Sequence, residues 1–184
     1  MQKTHAIAEF KARCSDLGRA ARLARAVGPR WVSRERQRDT YFNTSHGRLK
    51  IRESGGRPYL VWYFREDALR SKRSDVILLP LSQVSATKTI LARELGVKVV
   101  IDKVRRVYLK QNVRIHLDKV RGLGAFVEIE SIGPAKDFPR LKRQAEAMAQ
   151  MLGLQRRDLI RGSYSDLLLA KRRRGSQPPR RERV

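Results

Sequence analysis

Charged and apolar residues alternate along several stretches of the chain, as in β-strands that have one polar and one apolar face. This alternation predicts strands near residues 6–13, 36–42, 48–53, 59–65, 71–79, 97–109, 112–118 and 124–132. Helical periodicity and stop signals predict helices at 16–27, 80–95, 138–152 and 157–170. Many short strands with few helices predict an α+β fold in which an antiparallel sheet forms a barrel with flanking helices.

The polar faces of these strands are unusual because basic residues dominate them. Basic side chains recur at every second position in the runs Arg48-Lys50-Arg52 and Lys103-Arg105, whereas acidic residues concentrate at Glu9, Asp118, Glu128 and Glu130. Arg and Lys neutralise phosphate oxygens, and carboxylates hold Mg²⁺ or Mn²⁺. If the charged face turns inward, the sheet encloses a polar tunnel suited to a metal and a polyphosphate. The ordinary alternative is a sheet with one solvated face.

Composition supports an anionic partner. The net charge is +24, and the last 14 residues contribute only +6 of it, so a charge of +18 belongs to the body of the chain. Such a balance indicates nucleic acid, an anionic membrane surface or phosphorylated small molecules. We expect one domain at 1–170 and a basic, disordered tail at 171–184, through which nonspecific polyanion contact is an open alternative.

Other protein classes are disfavoured. One cysteine, Cys14, excludes an internal disulfide framework, and three scattered histidines make a zinc site improbable. No apolar run predicts a signal peptide or a transmembrane segment, so we expect a cytoplasmic protein. The phosphate-binding loop G-x-x-x-x-G-K-[ST] is absent from the sequence. Whether the chain is a monomer or a dimer stays open.

Several short motifs follow one another along the chain. They are A-E-F-K-A-R at 8–13, D-T-Y-F at 39–42, G-R-L-K-I-R-E at 47–53, K-V-R-R-V-Y at 103–108, N-V-R-I-H-L-D at 112–118, E-I-E at 128–130 and S-Y-S-D-L-L at 163–168. In this order and spacing they resemble the CYTH superfamily, the triphosphate tunnel metalloenzymes, and within it the class IV adenylate cyclase-like branch. The segment 8–13 is similar to the opening E-x-E-x-K strand of that family. The resemblance covers roughly residues 7–171.

The resemblance implies a closed, eight-stranded antiparallel barrel and a role for each matching residue. Catalytic side chains would be Lys11, Lys103, Arg105 and Arg114. Substrate phosphates would be bound by Lys50, Arg52, Arg65 and Arg48, the last near the mouth. Mg²⁺ or Mn²⁺ would be held by Glu9, Glu128, Glu130 and, more weakly, Asp118. The alternatives are a surface charge for Arg48 and Arg65 and an ion pair to Arg114 for Asp118.

One position departs from the family pattern, because the first Glu of E-x-E-x-K is replaced by Ile7. An isoleucine cannot bind metal, so we expect weaker metal binding, or one ion instead of two. His116 lies on the predicted tunnel face, where we expect a structural hydrogen bond. Asp39, Tyr41 and Tyr164 are also expected to be structural.

The resemblance implies a metal-dependent enzyme that acts on a small-molecule triphosphate. The cyclase-like reaction would convert ATP into cyclic AMP and pyrophosphate. The alternatives are a phosphohydrolase of the thiamine triphosphatase or tripolyphosphatase type, a non-catalytic polyphosphate or RNA binder, and a CYTH fold that only senses a phosphorylated ligand. No residue in the sequence decides between cyclase and hydrolase.

Overall fold

The computed structural model describes residues 5–65, 74–160 and 162–175. Its strands are β1 His5–Arg13, β2 Arg30–Phe42, β3 Arg48–Ser54, β4 Tyr59–Arg65, β5 Ser74–Pro80, β6 Val97–Lys110, β7 Val113–Val120 and β8 Gly124–Pro134. Its helices are α1 Leu17–Ala26, α2 Val84–Leu95, α3 Phe138–Met151 and α4 Tyr164–Gly175. None of the helices in these ranges is long and apolar enough to cross a membrane.

The eight strands form one antiparallel sheet in the order β1-β8-β7-β6-β2-β3-β4-β5. Side chains from all eight strands line one cavity, so the sheet curls into a half-barrel. The predicted α+β fold with eight antiparallel strands is confirmed, but a closed barrel overstates it. Within the described residues, one edge of β1 pairs with β8. The other edge pairs with the chain just before α4 instead of with β5. Leu159 forms a bridge to Ala12, and the Ile160 N–H donates to the Lys11 carbonyl at 2.9 Å.

Helices α1 and α3 cover the outer face of β1, β7 and β8. The inward strand positions are charged, so the alternate positions supply the apolar side of this layer. Ala8, Ile115 and Ile129 of the sheet are fully buried against Ala24 of α1 and Leu141 of α3. This apolar layer fixes the curvature of the three strands on which the acidic residues lie.

One end of the interior is also apolar. Inward-facing side chains of β2, β6, β7 and β8 form a second buried cluster with Tyr164, the first residue of α4. The Tyr164 and Phe126 rings lie 4.9 Å apart, and Leu167 and Leu168 of α4 pack on the same cluster. Helix α4 therefore closes this end of the half-barrel, and the charged side chains lie further along the interior.

Two predicted helices begin later than expected. Pro80 ends β5 opposite Tyr59 and does not open α2, which begins at Val84. Residues 157–160 and 162–163 are not α-helical, because Arg156–Asp158 forms a short 3-10 helix and Gly162 has a left-handed φ of 80°. Helix α4 then extends to Gly175, past the predicted start of the tail at 171. Residues 176–184, and the predicted strand start at 71–73, lie outside the described residues.

Candidate active site

The polar part of the half-barrel encloses a cavity of about 430 Å³. Strand register arranges its charged side chains in two rows across β1, β8 and β7. One row is Lys11, Glu128 and His116, and the next is Glu9, Glu130 and Arg114. Because every second residue faces inward, both rows point into the same space.

On one wall, Asp39 of β2 holds two cations of β3. The Lys50 Nζ donates to Asp39 Oδ2 at 2.6 Å, and Arg52 donates from Nε and Nη2 at 2.8 and 2.7 Å. Burial alone would raise the pKa of Asp39, but the charges of Lys50 and Arg52 outweigh it and hold the pKa well below its usual range. Asp39 thus stays ionised and fixes both cations in place.

Asp118 binds two cationic side chains of β6 in the same way. Arg105 donates to its two carboxylate oxygens at 2.7 and 2.6 Å, Lys103 donates at 3.1 Å, and the Tyr164 hydroxyl donates at 3.0 Å. Burial opposes ionisation of Asp118, but Arg105 and Lys103 outweigh it and lower its pKa. We expected Asp118 either to bind metal or to form an ion pair with Arg114. It does form ion pairs, but with Arg105 and Lys103.

Glu128 lies between cations of two strands. Lys11 contacts one of its carboxylate oxygens at 2.6 Å, and Arg105 donates to the other. Burial would raise the pKa of Glu128, but Lys11 and Arg105 hold it well below normal. Arg105 therefore links Glu128 to Asp118, so the acidic and basic walls form one hydrogen-bonded network.

Two lysines of the site, Lys50 and Lys103, have lowered pKa values. Burial, followed by the nearby Arg52 charge, lowers the pKa of Lys50 to about 7, although Asp39 works in the opposite direction. Burial and Arg105 likewise lower the pKa of Lys103. Keeping Lys50 and Lys103 protonated therefore costs free energy until an anion enters the cavity.

Most of the residues predicted for the site converge in the structure. Those that line the cavity are Glu9, Lys11, Lys50, Arg52, Lys103, Arg105, Arg114, Glu128 and Glu130. Asp118 lies behind Lys103 and Arg105 and is fully buried. Arg48 forms an ion pair with Asp166 at 3.0 Å and ties α4 to β3. The side chain of Arg65 lies outside the described part of the chain. Their catalytic and binding roles stay predictions.

Three residues that we expected to be structural belong to the walls of the site. Asp39 and Tyr41 line the cavity with Lys50, whose Nζ lies 3.3 Å from the Tyr41 hydroxyl. The Tyr164 ring faces the Lys11 ammonium at 4.4 Å from its centroid. The alternation pattern gave a signal for Asp39, because it shares a strand face with Tyr41. Tyr164 lies in a helix, and no pattern in the sequence places it beneath Lys11.

The donor set fits a divalent cation. Glu9 and Glu130 are 14% and 19% exposed, so their carboxylates reach the cavity, and Glu128 lies between Glu9 and His116 in the strand order. Carboxylate oxygens are the ligands that Mg²⁺ and Mn²⁺ prefer. Asp118 fits less well, since it does not line the cavity and has no exposed surface.

A curled antiparallel sheet with a charged interior, closed at one end by a helix, defines a tunnel-type α+β protein. The CYTH domain model matches residues 7–164, and the chain belongs to this family. The chain is 25% identical, over 86% of its length and 96% of the relative, to a Methanocaldococcus jannaschii protein provisionally named an adenylate cyclase.

Solved structures share the fold. PH1012 of Pyrococcus horikoshii superposes with a TM-score of 0.80 at 24% identity, covering 88% of this chain and 98% of that one. HpAC1 of Hippeastrum, a provisionally named adenylyl cyclase reported to have a dominant triphosphatase activity, superposes with a TM-score of 0.63 at 16% identity. That comparison covers 94% of this chain and 98% of the Hippeastrum protein.

Proposed function

We propose that this chain is a metal-dependent enzyme that acts on the triphosphate of a nucleotide or another organic triphosphate, with ATP conversion to cyclic AMP and pyrophosphate as its first candidate reaction. The observation that carries the proposal is the convergence of Glu9, Glu128 and Glu130 on one side of a cavity whose β3 and β6 walls are basic. Membership of the CYTH family and the adenylate cyclase name of the archaeal relative support it.

In this proposal the substrate phosphates lie along the basic walls. Lys50 and Arg52 would bind one end, and Lys103 and Arg105 the other. A guanidinium has five N–H donors. Arg105 uses Nε and Nη2 on carboxylates and keeps Nη1 for a phosphate oxygen. Since Asp39 and Asp118 fix these cations beforehand, little reorganisation is needed as charge moves onto the leaving phosphate.

Glu9, Glu128 and Glu130 would hold the metal ion, which would polarise a phosphate oxygen and offset its charge. In the cyclase reaction the ribose 3′-hydroxyl attacks the α-phosphorus, its proton is released, and the bond to the departing pyrophosphate breaks. Phosphoryl chemistry depends mainly on positioning and electrostatics, so the same walls would serve either reaction.

Hydrolysis is the second candidate. Water would then attack phosphorus, and orthophosphate would be released. The triphosphatase activity named for the Hippeastrum protein favours it, since that protein shares the fold. The nature of the attacking group is not fixed by any side chain that lines the cavity, so the products must be measured.

The test is incubation of the purified chain with ATP, thiamine triphosphate and tripolyphosphate, each with Mg²⁺ or Mn²⁺, with all products resolved. Cyclic AMP with pyrophosphate supports the cyclase, and orthophosphate supports the hydrolase. The absence of turnover with every substrate, together with tight metal-dependent binding, would refute the enzyme proposal in favour of a ligand sensor.

Two variants separate an enzyme from a polyanion binder. Glu128→Gln and Glu130→Gln should each lower metal-dependent turnover by at least about a hundredfold, the scale of losing one key electrostatic group. RNA or polyphosphate binding should persist or strengthen in them, because a repelling carboxylate is gone. Glu146→Gln is the matched control, since Glu146 lies on the exposed side of α3, 3.8 Å from Lys142. Unchanged turnover in both cavity variants would refute the proposed site.

A further inference from the structure

His116 of β7 is buried in the interior with one ring nitrogen unsatisfied. The side chain is 5% exposed, and its Nδ1 atom has no hydrogen-bond partner among the residues that the structure describes. A buried polar atom without a partner costs about 1–3 kcal/mol, so such atoms are uncommon and often mark a missing ligand. We expected a structural hydrogen bond here, and the structure gives none at Nδ1.

The unsatisfied nitrogen lies beside the two carboxylates of β8. Nδ1 is 3.6 Å from Glu128 Oε2 and 3.7 Å from Glu130 Oε1, and one donor atom from each of the three residues falls within 4.8 Å of the others. Ligand atoms about 2.1 Å from a shared ion lie roughly 3 to 3.5 Å apart. The two nitrogen–oxygen distances therefore reach this range after side-chain shifts of a few tenths of an ångström, and all three donor atoms lie close enough to approach a common cation.

Strand register explains why the three groups meet. His116 is the direct partner of Glu128 across the β7–β8 ladder, and Glu130 is two residues further along the same face. Ile7 lines the cavity two residues before Glu9, where the family pattern has a carboxylate. An oxygen ligand is thus missing on β1, while a nitrogen donor is present on β7.

We propose that His116 Nδ1 is a metal ligand in this site, together with Glu128 and Glu130. The inference rests on the proposed function, which places a divalent cation at these carboxylates. Imidazole favours transition metals over Mg²⁺, so the ligand set selects Mn²⁺ and its neighbours in the first row.

Mn²⁺ itself is the probe. Pulsed electron paramagnetic resonance of the bound ion detects a directly coordinated nitrogen, and ¹⁵N-labelling of the histidines assigns that nitrogen to imidazole. We expect nitrogen coupling in the wild type, its loss in His116→Gln, and at least about tenfold weaker Mn²⁺ binding by calorimetry in that variant. A tenfold loss of metal affinity is the lower end of the range found when a residue that only hydrogen-bonds to a metal ligand is removed. Mg²⁺ affinity should change less than Mn²⁺ affinity.

His46→Gln is the matched control, because His46 is exposed in the β2–β3 turn, and it should retain the nitrogen coupling. Mn²⁺ that binds the wild type without nitrogen coupling would overturn the role of His116 and leave the proposed function standing. A wild-type chain that binds no divalent cation would overturn both. The wild-type spectrum decides the question even if His116→Gln does not fold.

Discussion

Lys50 is the most sensitive indicator of what the cavity binds. It is 6% exposed, and its pKa is lowered to about 7 by burial and by Arg52, with Asp39 opposing them. The other groups that face it are Lys103 and the Tyr41 and Tyr63 rings. Near neutral pH, therefore, Lys50 loses its proton far more readily than an exposed lysine when the cavity holds no anion.

A bound triphosphate would reverse this shift, because an adjacent negative charge favours the ammonium form. Binding above pH 7 would then take up a proton at Lys50. If the pKa in the complex exceeds about 9, affinity falls almost tenfold for each pH unit between about 7.5 and 9, or about 1.4 kcal/mol per unit. Affinity should fall, and not rise, with increasing pH, because the protonated form of Lys50 is the one that binds phosphate.

The measurement is the affinity of wild type and Lys50→Arg for a triphosphate analogue in which methylene groups replace both bridging oxygens, so that neither candidate reaction can cleave it. The affinity is measured at several pH values with a constant metal concentration. Arg stays charged throughout, and titration of the ligand cancels in the ratio of the two affinities. This ratio should fall by about tenfold per pH unit. A ratio that stays constant from pH 7.5 to 9 would refute the position of Lys50 in the phosphate path.

Three further predictions test the network, the apolar layer and the altered motif. Asp118→Asn should lower the free energy of unfolding by about 3 kcal/mol in urea titrations, since it leaves buried cations unpaired. The control is Asp137→Asn on the surface, which should lower it by less than about 1 kcal/mol. An equally small loss for Asp118→Asn would contradict the prediction. Leu141→Ala should cost about 3 kcal/mol by the same measurement without changing triphosphate affinity, because Leu141 lies on the outer side of the sheet. Ile7→Glu should tighten Mg²⁺ binding by about tenfold in calorimetry, as more charged oxygen ligands raise affinity; unchanged affinity would place the ion away from β1.

Strands were predictable because alternation is local. Each charged face is visible within a single strand, so alternation alone places Lys50 and Arg52, or Glu128 and Glu130, on the same side of the sheet. The start of α4 was predicted wrongly because pairing of residues 159–160 with β1 overrides their helical pattern. Such long-range pairing leaves no local signal.

The partners inside the site depended on register, which the sequence does not reveal. A shift of one residue between β7 and β8 would turn His116 away from Glu128. The choice of Arg105 and Lys103 as partners of Asp118 depends in the same way on the pairing of Arg105 with Asp118 across β6 and β7. The residues of the candidate site could therefore be predicted as a set, whereas their pairing could not.

The pairing changes how the site works electrostatically. Among the described residues that line the cavity are six cationic side chains and four carboxylates, and Asp118 behind them leaves the balance close to neutral. Each of the three phosphates of a triphosphate carries at least one negative charge, so the side chains alone cannot neutralise it. In the proposed site, the missing charge would come from a divalent cation at Glu9, Glu128 and Glu130 and from protons taken up by lysines such as Lys50. The basic composition of the chain would then favour polyanions in general, whereas the near-neutral cavity would make binding of a triphosphate depend on metal and on pH.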